Sequence, residues 1–176
     1  IKDKKISKEL SEDVDEMEKM LNEYLQFAKT GAAEKTQDFD VCDLIISLQK
    51  KYKDKNIQFN YSEKLVFQGR KELLKRCFNN FIENSIKNAK KIEIYIKKLR
   101  RDIVISFEDN GPGIPKKEFE NVFKPFYKID KGRSESKNSV GLGLSISSDI
   151  VRSHGGKIKL DKSKMGGLKV IVILPF

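Results

Sequence analysis

Four short groups of residues follow one another along the chain, and each has the residue types for one part of a single chemistry. Asn80 and Asn84 stand four residues apart in the stretch from Arg70 to Ala89, and Lys87 follows three later, so on a helix two amides and an ammonium share one side. Asparagine is a mediocre helix former, and no capping role accounts for the pair. Asp109 closes an alternating stretch and opens Asp109-Asn110-Gly111-Pro112-Gly113-Ile114. A carboxylate at a strand end can accept a hydrogen bond from the exocyclic amine of adenine, while Gly111 and Gly113 let backbone approach a ring with no Cβ in the way. Phe123-Lys124-Pro125-Phe126 comes next, and then Gly141-Leu142-Gly143-Leu144 enters a helical stretch. Glycines at a helix start expose backbone N–H groups where the helix dipole favours anions, which makes a phosphate cradle. Lys87, Lys128 and Arg133 are the cations at hand for further phosphate charge, and Asn84 offers a neutral oxygen to Mg²⁺. Singly, each group has a plain alternative: the polar stripe is a solvated face and Lys87 a surface lysine. Their order along one chain is what gives them weight.

The elements that must position these groups are legible in the periodicity. In the stretch from Arg70 to Ala89, Leu73, Leu74, Cys77, Phe78, Phe81, Ile82 and Ile86 recur at helical spacing opposite the polar stripe. A second helix is expected over Val41 to Tyr52, with Asp40 as N-cap, and a third from Gly141 to about Ser153, ended by His154-Gly155-Gly156. Strands are expected over Ile57 to Tyr61, Leu65 to Gln68, Lys91 to Lys98, Asp102 to Glu108, Lys157 to Asp161 and Leu168 to Leu174. A short helix is expected over Lys116 to Val122, Phe123 and Phe126 as core anchors, and a mobile polar loop over Lys128 to Val140. Helices with mostly antiparallel strands make an α+β fold, a two-layer α/β sandwich. Before it, residues 6–29 read as one long helix whose Leu10, Val14, Met17, Leu21, Tyr24 and Ala28 form a heptad seam. Residues 31–40 read as a polar linker, so the expected units are 1–30, 31–40 and 41–176.

Composition narrows the partners. The 176 residues include 36 Lys plus Arg against 26 Asp plus Glu, a formal charge of +10, which favours phosphorylated ligands. The lysines are scattered and Trp is absent, so no nucleic-acid platform is expected. Cys42 and Cys77 lie on apolar helix faces without metal-ligand spacing, which fits buried free thiols in a reducing compartment. No run is long and apolar enough to span a membrane. The chain opens on helix-like sequence without an initiator Met, which suggests a fragment whose parent could hold a span.

Taken together the four motifs resemble those of the histidine-kinase ATP-binding domain, of the superfamily shared with gyrase, Hsp90 and MutL. The N box is similar at Asn80-Phe81-Ile82-Glu83-Asn84, the first Gly box at Asp109 to Ile114, the F box at Phe123 to Phe126 and the second Gly box at Gly141 to Leu144. The N-terminal helix resembles the second helix of that family's dimerisation and phosphotransfer domain, and the short linker is most similar to EnvZ-type sensor kinases. The resemblance implies ATP and Mg²⁺ as cofactors, catalytic roles for Asn80 and Asn84, and Asn84 as the metal ligand. It implies nucleotide contacts from Asn84, Lys87, Asp109, Gly111, Gly113, Lys128, Arg133, Gly141, Leu142, Gly143 and Leu144. It further implies a homodimer through the N-terminal helix, a response-regulator receiver as partner, and a place in the cytoplasmic portion of an inner-membrane sensor. The resemblance departs at Asn88, where Tyr or Phe is usual, at Ser139, where Gly is common, and at Lys128, where Arg is frequent. No acceptor histidine is present: His154 stands in a helix-ending position, so the phosphate would go to a histidine outside this chain. Two alternatives remain open. One is a gyrase- or Hsp90-like hydrolase, which carries a water-activating Glu where this chain has Asn80; the other is a non-catalytic dimerisation module with a vestigial nucleotide site.

Overall fold

A computed structural model describes residues 33–129 and 141–176, together with Leu10, Ser11, Val14, Asp15, Met17, Glu18, Leu21, Asn22, Tyr24 and Leu25. In chain order the elements are β1 (Gln37–Asp40), α1 (Val41–Lys51), β2 (Ile57–Tyr61), β3 (Val66–Gly69), α2 (Lys71–Asn88), β4 (Ile92–Leu99) and β5 (Asp102–Asp109). Two 3₁₀ turns follow, Lys116–Glu118 and Asn121–Phe123, then α3 (Gly143–Ser153), β6 (Lys157–Lys162) and β7 (Leu168–Pro175).

The alternating stretches assemble as a five-stranded sheet in the order β2-β4-β5-β7-β6, with β2 parallel to β4 and the other neighbours antiparallel. Alternation puts Ile92, Ile94, Ile96, Ile103, Ile105, Phe107, Val170, Val172 and Leu174 on one face, where all are buried. The apolar stripes of α1, α2 and α3 cover that face and join it in one core, which is the expected two-layer α+β sandwich. Phe78 and Phe81 of α2 reach the sheet at Phe107, with ring centroids 5.7 and 5.3 Å away. Burying an aromatic ring of this kind stabilises by about 1.5–3 kcal/mol, so α2 is held by its apolar side and its polar side is left for other work.

Local chemistry sets the helix ends. Asp40 Oδ1 accepts from the N–H of Cys42 at 2.7 Å and of Asp43 at 3.4 Å, the N-cap expected for α1. α3 ends where Gly155 takes φ +73°, and the N–H of Gly156 returns to the Val151 carbonyl at 2.9 Å.

Several expectations are corrected. The polar stretch read as linker ends in β1, which pairs antiparallel with β3; Phe39, buried against Phe67, draws it onto the fold. The segment around Lys116 forms 3₁₀ turns rather than a helix, because Pro115 and the following Phe-Pro sequence leave too few residues to repay nucleation. Phe126 is not a core anchor: it is exposed and has φ +64° at a turn whose backbone N–H donates to the Gly141 carbonyl, and Val122 supplies the buried contact instead. α3 begins at Gly143 and not Gly141, whose φ of +73° is a turn conformation. At the N-terminus, Leu10, Val14, Met17, Leu21 and Tyr24 are helical and about 60% exposed, so the seam lies in solvent; Ala28 is outside the described residues.

Candidate functional site

The cleft lies between the C-terminal half of α2, the end of β5 and the start of α3, and has a volume of about 330 Å³. That is the size of a small-molecule site. Asn80, Asn84, Lys87, Asp109, Gly113, Lys128, Gly141, Leu142, Gly143 and Leu144 all line it, so folding brings the separated motifs to one place. Gly111 stands behind the lining, donating its N–H to Asp109, and Arg133 lies outside the described residues.

Asp109 is the most constrained group. It is 5% exposed, and its Oδ1 accepts from the N–H of Gly111 at 2.9 Å and of Leu168 at 3.1 Å. Among the described residues its Oδ2 accepts the Ser85 hydroxyl alone, at 3.1 Å, which leaves it acceptor capacity for a donor in the cleft. Neighbouring backbone must come very close for this: a Cβ on Gly167 would stand 2.1 Å from Asp109 Oδ1 and 2.6 Å from the Gly111 nitrogen. Ser85, Gly167 and Leu168 escape a reading by motif. The sequence signals were weak ones, a lone serine within an apolar stripe and a paired glycine in a turn.

The α2 side chains divide the remaining work. Asn84 is half-buried on the cleft wall, and its backbone carbonyl accepts from the Asn88 side chain at 2.8 Å. Lys87 is exposed at the rim, in the last turn of α2, where the helix dipole favours a cation. Asn80 donates to the Gly143 carbonyl at 3.2 Å and the Ser147 hydroxyl at 3.3 Å, fastening α2 to the start of α3. At that start Leu142 makes no side-chain cap bond, and a Cβ on Gly143 would find nothing closer than Asn80 at 3.8 Å. Among the described residues no side chain caps the first turn of α3, where unpaired N–H groups and the positive end of the helix dipole favour an anion.

Glu83 is a further wall residue that motif reasoning left without a role. Tyr52 Oη lies 2.7 Å from its Oε1 and Lys51 Nζ 3.7 Å. Burial acts to raise its carboxyl, but the Tyr52 and Asn79 hydrogen bonds with Lys51 and Lys87 outweigh that and hold it below the usual carboxylate range. Asn110 and Glu108, the neighbours of Asp109, bond to other parts of the protein. Asn110 Oδ1 accepts from the N–H of Lys90 and Lys91, and Glu108 pairs with Lys169 at 2.7 Å. Burial, with Asp40 nearby, pushes the Cys42 thiol up to about 11, and burial raises Cys77 further; neither is a nucleophile.

The donor set lining the cleft fits a nucleotide with Mg²⁺: the Asp109 carboxylate, the first turn of α3, the Asn84 amide oxygen and the Lys87 ammonium. Among the described residues no group of three or more His, Cys, Asp or Glu could hold a metal ion.

Comparison with known proteins agrees with this geometry. Residues 69–176 match the family described as histidine kinase-, DNA gyrase B-, and HSP90-like ATPase. The chain is 27% identical over 177 residues to the sensor histidine kinase GtrS of Pseudomonas aeruginosa, covering 99% of this chain and 37% of that protein. It is 32% identical over 108 residues to the sensor histidine kinase CpxA of Escherichia coli, covering 61% of this chain and 24% of that protein. It thus spans well under half the length of these relatives. Among solved structures, the catalytic domain of histidine kinase ThkA superposes with a TM-score of 0.69 at 26% identity, over 80% of this chain and 95% of that one.

Proposed function

Because the chain belongs to the histidine kinase-, DNA gyrase B- and HSP90-like ATPase family, we propose that it supplies the catalytic part of a sensor histidine kinase. In this reading it binds ATP with Mg²⁺ and presents the γ-phosphate to a histidine lying outside this sequence, for relay to a response-regulator receiver. The observation that carries it is that Asp109, Asn84, Lys87 and the start of α3 line one cleft, although they come from separate stretches of the chain.

Bound ATP supplies the transferable phosphoryl group, and Mg²⁺ neutralises its charge. Asp109 orients the adenine amine. Asn84 would hold the metal, and the N–H groups of Gly143 and Leu144 with Lys87, Lys128 and Arg133 would hold phosphate oxygens. Positioning and charge neutralisation are most of what phosphoryl transfer asks of a protein. Asn80 cannot take a proton, and its amide is spent on Gly143 and Ser147, so no base stands at that position to activate water. That favours transfer over the hydrolysis of a gyrase-like machine. Glu83, the other carboxylate among the described cleft residues, is tied to Tyr52 and Lys51.

The same reading takes residues 1–30 as part of the dimerising bundle and 41–176 as the catalytic domain, to which β1 at the end of the 31–40 join already belongs, with the exposed seam as the homodimer contact. Among the described residues no helix is long and apolar enough to cross a membrane, so a place on the cytoplasmic side of a membrane sensor would depend on other parts of the parent protein. The decisive experiment mixes the chain with a helical domain bearing the acceptor histidine and γ-labelled ATP. Label on that histidine is expected; steady-state release of phosphate without transfer would favour the hydrolase, and no nucleotide binding by a folded chain the vestigial module.

A further inference from the structure

The helix that carries Asn80, Asn84 and Lys87 does not cap its own start. Arg70, at the N-cap of α2, makes no side-chain cap bond. The cap comes instead from Glu34, in the segment that joins the N-terminal helix to the fold. Its Oε1 accepts the N–H of Glu72 at 2.6 Å, and its Oε2 that of Leu73 at 3.0 Å. A carboxylate on two first-turn N–H groups at the positive end of a helix is a charge-assisted, bidentate contact, of the stronger kind of hydrogen bond.

Glu34 stands at one end of a ladder of polar bonds that runs the length of the α2–α3 contact. Beside it, the Arg70 N–H donates to His154 Nε2 at 3.0 Å, and the Arg70 guanidinium reaches the Ser153 hydroxyl and carbonyl. Midway, Cys77 Sγ meets the Ser147 carbonyl at 3.7 Å. At the far end Asn80 holds the Gly143 carbonyl, at the turn that faces the phosphate position. Every rung but one joins residues of the two helices or their caps; the rung from Glu34 brings in the segment before β1.

We propose that Glu34 is a positioning residue of the nucleotide site, one that couples the segment joining the N-terminal helix to the placement of α2 along α3. The inference rests on the nucleotide-binding reading above. From Leu73 to Asn84 is about 17 Å along the helix axis. A tilt of about 3–4° at the first turn therefore moves Asn84 by roughly 1 Å, a displacement that matters for a metal ligand. Releasing Glu34 leaves the first-turn N–H groups of Glu72 and Leu73 without that carboxylate, and so loosens the start of α2 from the joining segment while the Asn80 bond to Gly143 remains. Tension on the joining segment acts on the site through this contact, and nucleotide binding acts back on it, since such coupling is reciprocal.

The test measures affinity for Mg·ADP by calorimetry in the whole chain, for wild type, Glu34→Gln and Glu34→Ala, together with thermal midpoints and amide exchange. Glu34→Ala is expected to weaken nucleotide binding about fivefold or more, and Glu34→Gln, which keeps one acceptor, by less. In the wild type, saturating Mg·ADP should slow exchange at the Glu72 and Leu73 amides; in Glu34→Ala that response should disappear. A merely structural cap would lower the midpoint and leave both affinity and the exchange response unmoved, which would overturn the coupling alone. Wild-type chain that folds but binds no nucleotide would overturn the functional reading and the coupling with it.

Discussion

Asp109→Asn probes the site most directly, because it changes one atom of the cleft while sparing the fold. The asparagine oxygen can keep the N–H groups of Gly111 and Leu168, which Oδ1 now accepts at 2.9 and 3.1 Å. The new amide NH₂ takes the place of Oδ2, where the Ser85 hydroxyl can turn and accept. Only the cleft-facing lone pair is lost, and a donor replaces it, so an incoming amine meets a donor. A hydrogen bond to a charged group is worth about 1.5–3 kcal/mol, which converts to a roughly 10- to 150-fold loss of affinity for Mg·ATP. Calorimetry with ATP and with the purine analogue lacking the 6-amino group completes a double-mutant cycle. In wild type the analogue should bind more weakly by about the same factor, and Asp109→Asn should scarcely change its affinity. If the substitution weakens both nucleotides equally with the thermal midpoint unchanged, Asp109 is not reading the amine and the assignment of the cleft fails.

Other consequences follow from particular contacts. Asn84→Ala should abolish the part of nucleotide affinity that depends on Mg²⁺ while leaving metal-free binding within about twofold, as titrations with and without EDTA would record. Gly167→Ala places a methyl 2.1 Å from Asp109 Oδ1 and 2.5 Å from its carbonyl, so urea unfolding should show a loss of about 3 kcal/mol, with nucleotide binding lost as well. His154 accepts from Arg70 through Nε2 and shares Nδ1 with the Ile150 carbonyl at 2.7 Å, an arrangement only the neutral ring makes. Burial, reinforced by Arg70, holds it below the ordinary 6.5 despite the Ile150 bond. Below pH 6.5 the unfolded chain therefore binds the proton more readily than the folded one. Its stabilising contribution is complete above that pH and declines as pH falls, by at most about 1.4 kcal/mol per pH unit, a dependence that His154→Gln should remove from pH-resolved unfolding curves.

Much of this protein is written in local pattern. Alternating isoleucines can be satisfied only by a half-buried sheet, and the stripe Leu73, Leu74, Cys77, Phe78, Phe81, Ile82 only by a helix lying on it. Asp109, Asn84, Lys87 and the glycines at 113, 141 and 143 stood out by type and place in that pattern, and the fold gathers them around one cleft. Glycine positions of this kind carry their reason with them.

The remainder depends on contacts between residues far apart in sequence, where side-chain type is a poor guide. Phe126 looks like a core residue by composition, yet a turn held by the Gly141 carbonyl directs it to solvent. Ser85 becomes the partner of Asp109 only because α2 lies over the end of β5. Asn80 reads as a missing base in sequence; in space it is also the bond that fastens α2 to the start of α3. Glu34 shows the division most plainly, since a single glutamate in a polar stretch is indistinguishable from a solvated one until α2 presents two uncapped N–H groups to it. Sequence alone determined the elements and singled out most of the residues that line the cleft, because both follow from periodicity and residue type. The tertiary structure decided which backbone donors found which carboxylates, because that choice is made by chain segments meeting in space.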